Sequence, residues 1–315
     1  MPLNPMMAKV LSLIFLFLIA ATAVVSAQTF EKYRNKFRED QQRHGQIVFI
    51  GGLGNSSYLG DLKTSEFSLD TKHNLIIGAK YRYKTHLSFR SELTWYRISG
   101  SDARQPVESG LPSRNLSFRA DNIELNFAGL LHAFPRYKSK RDLSPVIANP
   151  YIFLGLGATS NNPTAEYEGR RYNLRKLQTQ GIRYSGAEFV IPFGLGIDFR
   201  INNNFDIGLE GGYRLTFTDQ LDDSSRPEMI NLDLFSNPIA AALHDRRGEV
   251  GDIPGVPPYS GSIRGNPKNN DSYFLISAKV QYYIPMTGVR RAKYQGSKES
   301  GSTFKGTMKR KKIRR

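Results

Sequence analysis

Phe189 to Ile201 reads FVIPFGLGIDFRI, and taken in steps of two it places Phe189, Ile191, Phe193, Leu195, Ile197, Phe199 and Ile201 on one side. Pro192, Gly194, Gly196, Asp198 and Arg200 fall on the other. A period of two is the signature of a β-strand, whose successive side chains point to opposite faces. Seven successive apolar positions opposite a face of small and charged residues suit a strand with lipid on one side and a narrow polar interior on the other. After Asn202-Asn203-Asn204 the pattern restarts, with Ile207, Leu209, Gly211, Tyr213, Leu215 and Phe217 against Asp206, Gly208, Glu210, Gly212, Arg214 and Thr216.

The same alternation recurs on both sides of this pair. Leu75, Ile77, Ala79, Tyr81 and Tyr83 oppose Lys80 and Arg82; Leu87, Phe89, Leu93 and Trp95 oppose Arg90, Glu92 and Thr94. From Ile123 to Ala133 an apolar set opposes Asn122, Glu124, Asn126 and His132, and from Phe274 to Ile284 another opposes Ser277, Lys279, Gln281 and Tyr283. Residues 46–54 and 151–159 are apolar and glycine-rich without clean alternation and complete the set. About eight segments of roughly ten residues predict an all-β fold: a transmembrane antiparallel up-and-down β-barrel. The connections alternate short (84–86, 202–204) and long (60–73, 100–116, 160–187, 218–271), as periplasmic turns and outer loops do. Residues 135–150 break this rule with a long inner connection holding Arg136, Lys138, Lys140 and Arg141. Aromatics near strand ends, including Tyr81, Tyr151, Phe205 and Tyr282 at the inner rim and Trp95 and Phe217 at the outer, suggest interfacial girdles. A soluble barrel or sandwich is disfavoured, since its charges would have to face the core.

Lys9 precedes an apolar run from Val10 to Val25 that ends Val25-Ser26-Ala27, a small-x-small cleavage pattern, so residues 1–27 read as an export signal rather than a membrane helix. The absence of cysteine excludes disulfides, thiolate zinc sites and a lipidated cysteine. No later apolar stretch is long enough for a spanning helix. The net charge of +16 is concentrated at one end, because residues 286–315 carry eleven Lys and Arg against the single acid Glu299. The division expected is therefore 1–27 signal peptide, 28–44 charged periplasmic segment, 45–285 outer-membrane barrel, and 286–315 a basic, disordered periplasmic tail.

The barrel interior should hold Lys80, Arg82, Arg90, Arg200, Arg214 and Lys279 against Glu92, Glu124, Asp198, Asp206 and Glu210. Eight strands enclose a space just wide enough to be filled by side chains, so these charges are expected to pair rather than to line a diffusion pore. His244-Asp245 is the sole hint of acid–base chemistry, and adjacent residues point apart in extended chain, so no catalytic, cofactor or metal site is assigned. Asp219, Asp222 and Asp223 lack the glycine turn and distal Glu of a calcium loop and read as a solvated loop entrance. No nucleic acid or small-molecule substrate is expected of an exported chain of this kind. The partners expected are outer-membrane lipid and anionic periplasmic surfaces, met by Arg136, Lys138, Lys140 and Arg141 and by Lys309, Arg310, Lys311, Lys312, Arg314 and Arg315.

Particular residues add to the pattern. Tyr58-Leu59-Gly60-Asp61-Leu62, Arg114-Asn115-Leu116-Ser117-Phe118-Arg119, Asn149-Pro150-Tyr151-Ile152-Phe153 and Pro192-Phe193-Gly194-Leu195-Gly196 follow in order. After them come Thr216-Phe217-Thr218-Asp219-Gln220-Leu221-Asp222-Asp223, Leu243-His244-Asp245-Arg246, and Arg264-Gly265-Asn266-Pro267 through Asn270-Asp271. From about residue 45 to 285 the chain resembles the PorG-like outer-membrane barrels, of DUF6089 type, associated with the type IX secretion system. The resemblance implies a non-enzymatic component that links the outer membrane to a periplasmic ring of lipoprotein and partner subunits. The basic tail has no match in that pattern. The competing expectation is a barrel that binds a small ligand or a surface through its long outer loops.

Overall fold

The computed structural model describes residues 46–62, 71–84, 86–134, 148–201, 204–226, 228–250, 264–266 and 269–284. The expected signal peptide, the 28–44 segment, the 286–315 tail and Arg136, Lys138, Lys140 and Arg141 lie outside these residues. Among the described residues no helix is long and apolar enough to cross a membrane.

The strands are β1 (Gln46–Leu59), β2 (Lys72–Arg82), β3 (Leu87–Ser101), β4 (Ser117–His132), β5 (Ala148–Ser160), β6 (Pro163–Tyr167), β7 (Arg170–Asn173), β8 (Ala187–Arg200), β9 (Phe205–Thr216) and β10 (Ser272–Tyr283). Eight of them pair antiparallel around a ring, β1-β2-β3-β4-β5-β8-β9-β10, and the β1–β10 ladder closes it, with Val48 opposite Tyr283 and Leu59 opposite Ser272. Closure leaves no unpaired edge, which is the condition for a sheet to cross lipid. The ends where β1 starts and β10 finishes therefore lie together, joined further by Ile284 N–H donating to the Ile47 carbonyl. This end is called proximal below and the opposite end distal.

Every barrel strand alternates between a buried and an open face along its length. The open face is apolar: Phe189 is 78% exposed, Leu156 69% and Ile77 63%. Large apolar side chains this open, repeated around a closed sheet, form a belt that only lipid satisfies. The fold is a closed eight-stranded transmembrane β-barrel. The sole tryptophan, Trp95, lies on this outer face, with the Arg97 guanidinium 5.4 Å from its ring centroid and paired to Asp121 at 2.6 Å. Apolar belt thus gives way to ion pairs within two residues.

Beyond that line the polarity inverts, and here the strands run on past their expected ends. In β3 and β4 the inward positions become Tyr96, Ile98, Phe118 and Ala120, all buried, while Arg97, Arg119 and Asp121 face outward. This is the pattern of a water-soluble structure, so the distal part of the barrel stands clear of the lipid with an ordinary apolar core. Tyr58, Leu62, Leu116, Leu174, Leu221, Leu243 and Leu275 join it.

Two readings of the sequence are corrected. Tyr151, expected in the inner girdle, is inside the barrel at 3% exposure, because the Asn149-Pro150 start of β5 sets odd positions inward. Phe153 follows it there. Room for both rings comes from β8 and β9, where a β-carbon at Gly196 would overlap the Tyr151 ring and one at Gly212 would stand 2.6 Å from Phe153 Cζ. The 160–187 connection, expected as loop, contains the β6–β7 hairpin, whose two-residue turn Glu168-Gly169 has positive φ at both positions (49° and 72°), as type I′ requires.

Candidate functional site

Two polar assemblies fill the molecule, one in the lumen and one at the distal end. The lumen assembly follows from strand register, because charges on the inward faces of different strands meet across a barrel only a few side chains wide. Glu210 of β9 is its centre. It accepts from Arg90 of β3 twice, at 2.5 and 3.1 Å, from Lys279 of β10 at 2.7 Å and from Tyr151 at 2.8 Å. Lys279 also donates to Glu92 at 2.7 Å, and Arg90 Nε lies 3.2 Å from the same carboxylate. Arg90 stacks 5.1 Å from the Phe153 centroid. Two cations and two anions, all under 5% exposed, thus cancel.

Nearer the proximal end, Lys80 pairs with Asp198 at 3.3 Å, and Gln281 accepts from Lys80 and donates to Asp198 at 2.5 Å. Toward the distal side, Glu124 lies 3.5 Å from Arg214 and accepts from Tyr273 and Asn126, each at 2.7 Å. Asp206 is buried, and Arg82 and Arg200 lie half-buried near the proximal rim. The uncharged members Tyr151, Tyr273, Asn126 and Gln281 escape a search restricted to charges. Their inward parity is the signal that exposes them. Cross-strand pairs occupy the lumen at the levels of Lys80, Glu210 and Glu124, and what they can do is stiffen the barrel.

The distal assembly is built from the long connections. A short helix α1 (Leu111–Arg114) between β3 and β4 presents Arg114, which donates to Asp102 through two nitrogens, both at 2.7 Å, and to the Arg264 carbonyl at 2.9 Å. Helix α2 (Leu174–Leu177) is followed by Thr179, Gln180 and Tyr184, and all three donate to the Asp223 carboxylate, Tyr184 at 2.8 Å. Arg264 pairs with the same group at 3.2 Å. Asp223 therefore ties the 160–187 and 218–271 connections together.

Helix α3 (Pro238–His244) ends on a fully buried His244, whose Nε2 accepts from the Ile230 N–H at 2.9 Å. The proton is then on Nδ1, 2.6 Å from the Thr179 carbonyl that receives it. Burial, with Arg264 next in effect, holds this imidazole down at about 4. Asp245 points instead to Arg247, at 2.6 and 2.8 Å. Both nitrogens of the histidine are committed to backbone groups, so the adjacent pair does not form an acid–base dyad.

The expectation of a solvated entrance at Asp219, Asp222 and Asp223 is overturned: all three are buried, at 8%, 2% and 1% exposure. The loop folds inward because Leu221 and Leu243 belong to the distal core and carry the intervening acids with them. Tyr58 donates to Asp222 at 2.8 Å and to Asp271. Backbone amides supply the rest, Ser224 to Asp222 at 2.8 Å, Leu221 to Asp271 at 2.9 Å and Asn266 to Asp61 at 2.5 Å. Among the described residues neither carboxylate oxygen of Asp219 has a hydrogen-bond partner. Desolvation, then the charges of Asp222 and Asp61, raise Asp219 to about 9; desolvation first, opposed by the Tyr58 hydrogen bond, puts Asp222 at about 7. Burial and Asp222 push Asp271 well up too.

Lipid-facing belt, filled lumen and folded distal cap define a transmembrane β-barrel of the small outer-membrane class. The chain belongs to the family described as Domain of unknown function (DUF6089), whose model matches residues 34–237. No curated protein matches the sequence. Among solved structures, the chain is similar to Neisserial surface protein A, at 10% identity over 76% of this chain and 97% of that one, with a TM-score of 0.37. Ail, the attachment invasion locus protein of Yersinia pestis, solved with the heparin analogue sucrose octasulfate, gives 8% identity over 76% and 99% and a TM-score of 0.37. The N-terminal barrel domain of Pseudomonas aeruginosa OprF gives 10%, 76%, 100% and 0.34.

Proposed function

We propose that this chain is a non-enzymatic outer-membrane component of a protein secretion machine of the type IX kind, anchoring periplasmic subunits to the membrane. The observation that carries this reading is the barrel's occupied interior, where Arg90, Glu92, Glu210 and Lys279 pair with one another across the lumen. A barrel sealed in this way acts through its ends. β1 begins and β10 finishes at the same, proximal end, from which the neighbouring segments 28–44 and 286–315 are proposed to act. With that side in the periplasm, as short turns and an even strand count suit, the eleven cations of the tail meet acidic faces of envelope partners. The resemblance to PorG-like barrels supplies the particular machine.

The test is affinity capture from solubilised membranes with the full chain and with residues 286–315 removed. Periplasmic subunits should co-purify with the full chain, and their recovery should fall on truncation and on raising salt, because exposed charges are screened. Equal capture by both forms contradicts a docking tail. Orientation is checked in the cysteine-free chain with Arg170→Cys, at the distal hairpin, which an impermeant maleimide should label in intact cells.

A second reading, recognition of a ligand or surface by the distal loops, is favoured by the organised cap that Asp223 and Arg114 hold together. Deleting part of residues 224–270 distinguishes the two: export lost supports the secretion role, whereas export kept with adhesion lost supports the second.

A further inference from the structure

The outward face of the barrel changes character over one row of residues on β3 and β4. Leu93 and Ile123 are still exposed apolar side chains of the lipid belt, and Trp95 closes it. Two residues on, Arg97 stands directly opposite Asp121, and in the next row Arg119 stands opposite Ser99. Two residues of strand rise about 7 Å. Strand tilt shortens that to roughly 5 Å along the membrane normal, which falls in the lipid headgroup layer, roughly 5–8 Å deep on each side. Arg119 begins one row further out, but its guanidinium turns back to Asp121, so both arginines meet the membrane at one level.

Two guanidinium groups share this single carboxylate, which leaves one positive charge over. Arg97 holds Asp121 closely, its Nε donating to Oδ1 at 2.6 Å, while Arg119 reaches the other oxygen through one terminal nitrogen at 3.4 Å. Among the described residues, the Nε of Arg119 is buried and has no hydrogen-bond partner. A guanidinium carries five N–H donors, and a buried donor without an acceptor is unfavourable. Arg119 therefore gains by turning toward an acceptor on the membrane side. The one acid of the adjoining strand β6, Glu166, is already paired with Arg171 opposite it, at 3.2 Å.

A phosphate suits these donors, because its oxygens match the planar fork of an arginine. Location decides its source. The acceptor has to sit beside the outward side chains of Leu93, Trp95 and Ile123, where lipid headgroups lie and where an acidic protein would have to displace them. We propose that Arg97 and Arg119 hold the phosphate of an anionic lipid, one whose headgroup carries no cation of its own to cancel it, and that the barrel thereby selects its lipid at the β3–β4 sector of the distal rim. Asp121 keeps the two guanidinium groups in place and limits the strength of the site. Such a site is independent of the secretion role and of the side of the membrane that the distal end occupies.

The sole tryptophan is the probe, since Trp95 lies against Arg97, with 5.4 Å from its ring centroid to the guanidinium carbon. The full chain is reconstituted in phosphatidylcholine vesicles that contain equal fractions of either brominated phosphatidylglycerol or brominated phosphatidylcholine, with the bromines high on the acyl chain, and quenching of Trp95 is compared. The anionic lipid should be favoured by up to about fivefold in relative affinity, the size of an exposed charge contact, and high salt should erase most of the difference. Arg119→Gln should bring the ratio close to unity, and Asp121→Asn should raise it, because it releases both guanidinium groups. Arg170→Gln, which removes the same charge from the exposed hairpin, should leave it unchanged. Equal quenching by the two lipids in the wild-type protein overturns the proposal. So does a preference that persists in Arg119→Gln, as one set by the basic residues 286–315 would, or one that Arg170→Gln removes equally well. Inorganic phosphate should compete no better than chloride at the same ionic strength; if it does compete, the site takes free phosphate and the lipid assignment fails.

Discussion

Replacing Glu210 by Gln keeps the shape and hydrogen-bonding atoms of the residue at the centre of the lumen and removes its charge. Four charged groups meet there, Arg90 and Lys279 against Glu92 and Glu210, and the substitution leaves one positive charge uncompensated among side chains under 5% exposed. Removing one partner of a buried ion pair costs about 3–5 kcal/mol. The wild-type side chain takes three charged hydrogen bonds and one from Tyr151, so the cost should fall within that range. Lys279→Gln should cost a similar amount, for it strands a negative charge. The double variant is neutral again, and its cost should be less than the sum of the singles by about 0.5–3 kcal/mol, the coupling of groups that touch. The assay is urea unfolding in lipid vesicles, read by the fluorescence of the single tryptophan, Trp95, on the lipid side of β3. Single losses below about 1 kcal/mol that simply add would refute the reasoning and indicate hydrated charges that do not depend on one another.

Three further outcomes are expected. Gly196→Val drives the Tyr151 ring off its site and should destabilise the barrel by about 1–3 kcal/mol through overpacking, whereas the lipid-facing Leu195→Val should change little under the same urea assay; equal effects contradict the inward placement of Tyr151. Arg114→Lys loses the two-nitrogen grip on Asp102 and should make the 218–271 connection more open to a protease while the barrel still migrates as a folded species; an unchanged digestion rate counts against the cap. His244 has a folded-state value of about 4, below its ordinary 6.5, so the stability it contributes is present above pH 6.5 and lost as pH falls through about 4. Arg264, Arg226 and Asp245 are the charges that act on it. The protection of the Ile230 amide, taken relative to the intrinsic exchange rate at each pH, should therefore fall on acidification, and His244→Gln should flatten that dependence; a wild-type protection that stays constant with pH excludes it.

The barrel strands are legible in sequence because lipid imposes a strict period of two, so β8 and β9 read without ambiguity. β1 and β5 read less clearly, since Gly52, Gly54, Gly155 and Gly157 replace side chains where neighbouring backbones approach closely: a β-carbon at Gly54 would collide with the Ile276 carbonyl. The distal strand extensions escape for another reason. At Tyr96-Arg97-Ile98 and Phe118-Arg119-Ala120 the alternation continues with its faces exchanged, and a search for an outward apolar set stops there. Inward parity identifies where each lumen charge points, but its partner depends on which strands close the ring. The cap is hidden for a third reason. Asp102, Arg114 and Arg264 are isolated charges in loops, and only the three-dimensional path that buries Leu221 and Leu243 brings them beside Asp219, Asp222 and Asp223.

The central claim is that the lumen is sealed by its own side chains and that function resides at the barrel's ends. Ion conductance of the full chain in planar lipid bilayers tests this most directly. The paired interior predicts a baseline current without discrete steps across the voltage range the bilayer tolerates. Reproducible steps that change size when Glu210 or Lys279 is replaced would contradict the account, because they would put the ion path through the lumen itself.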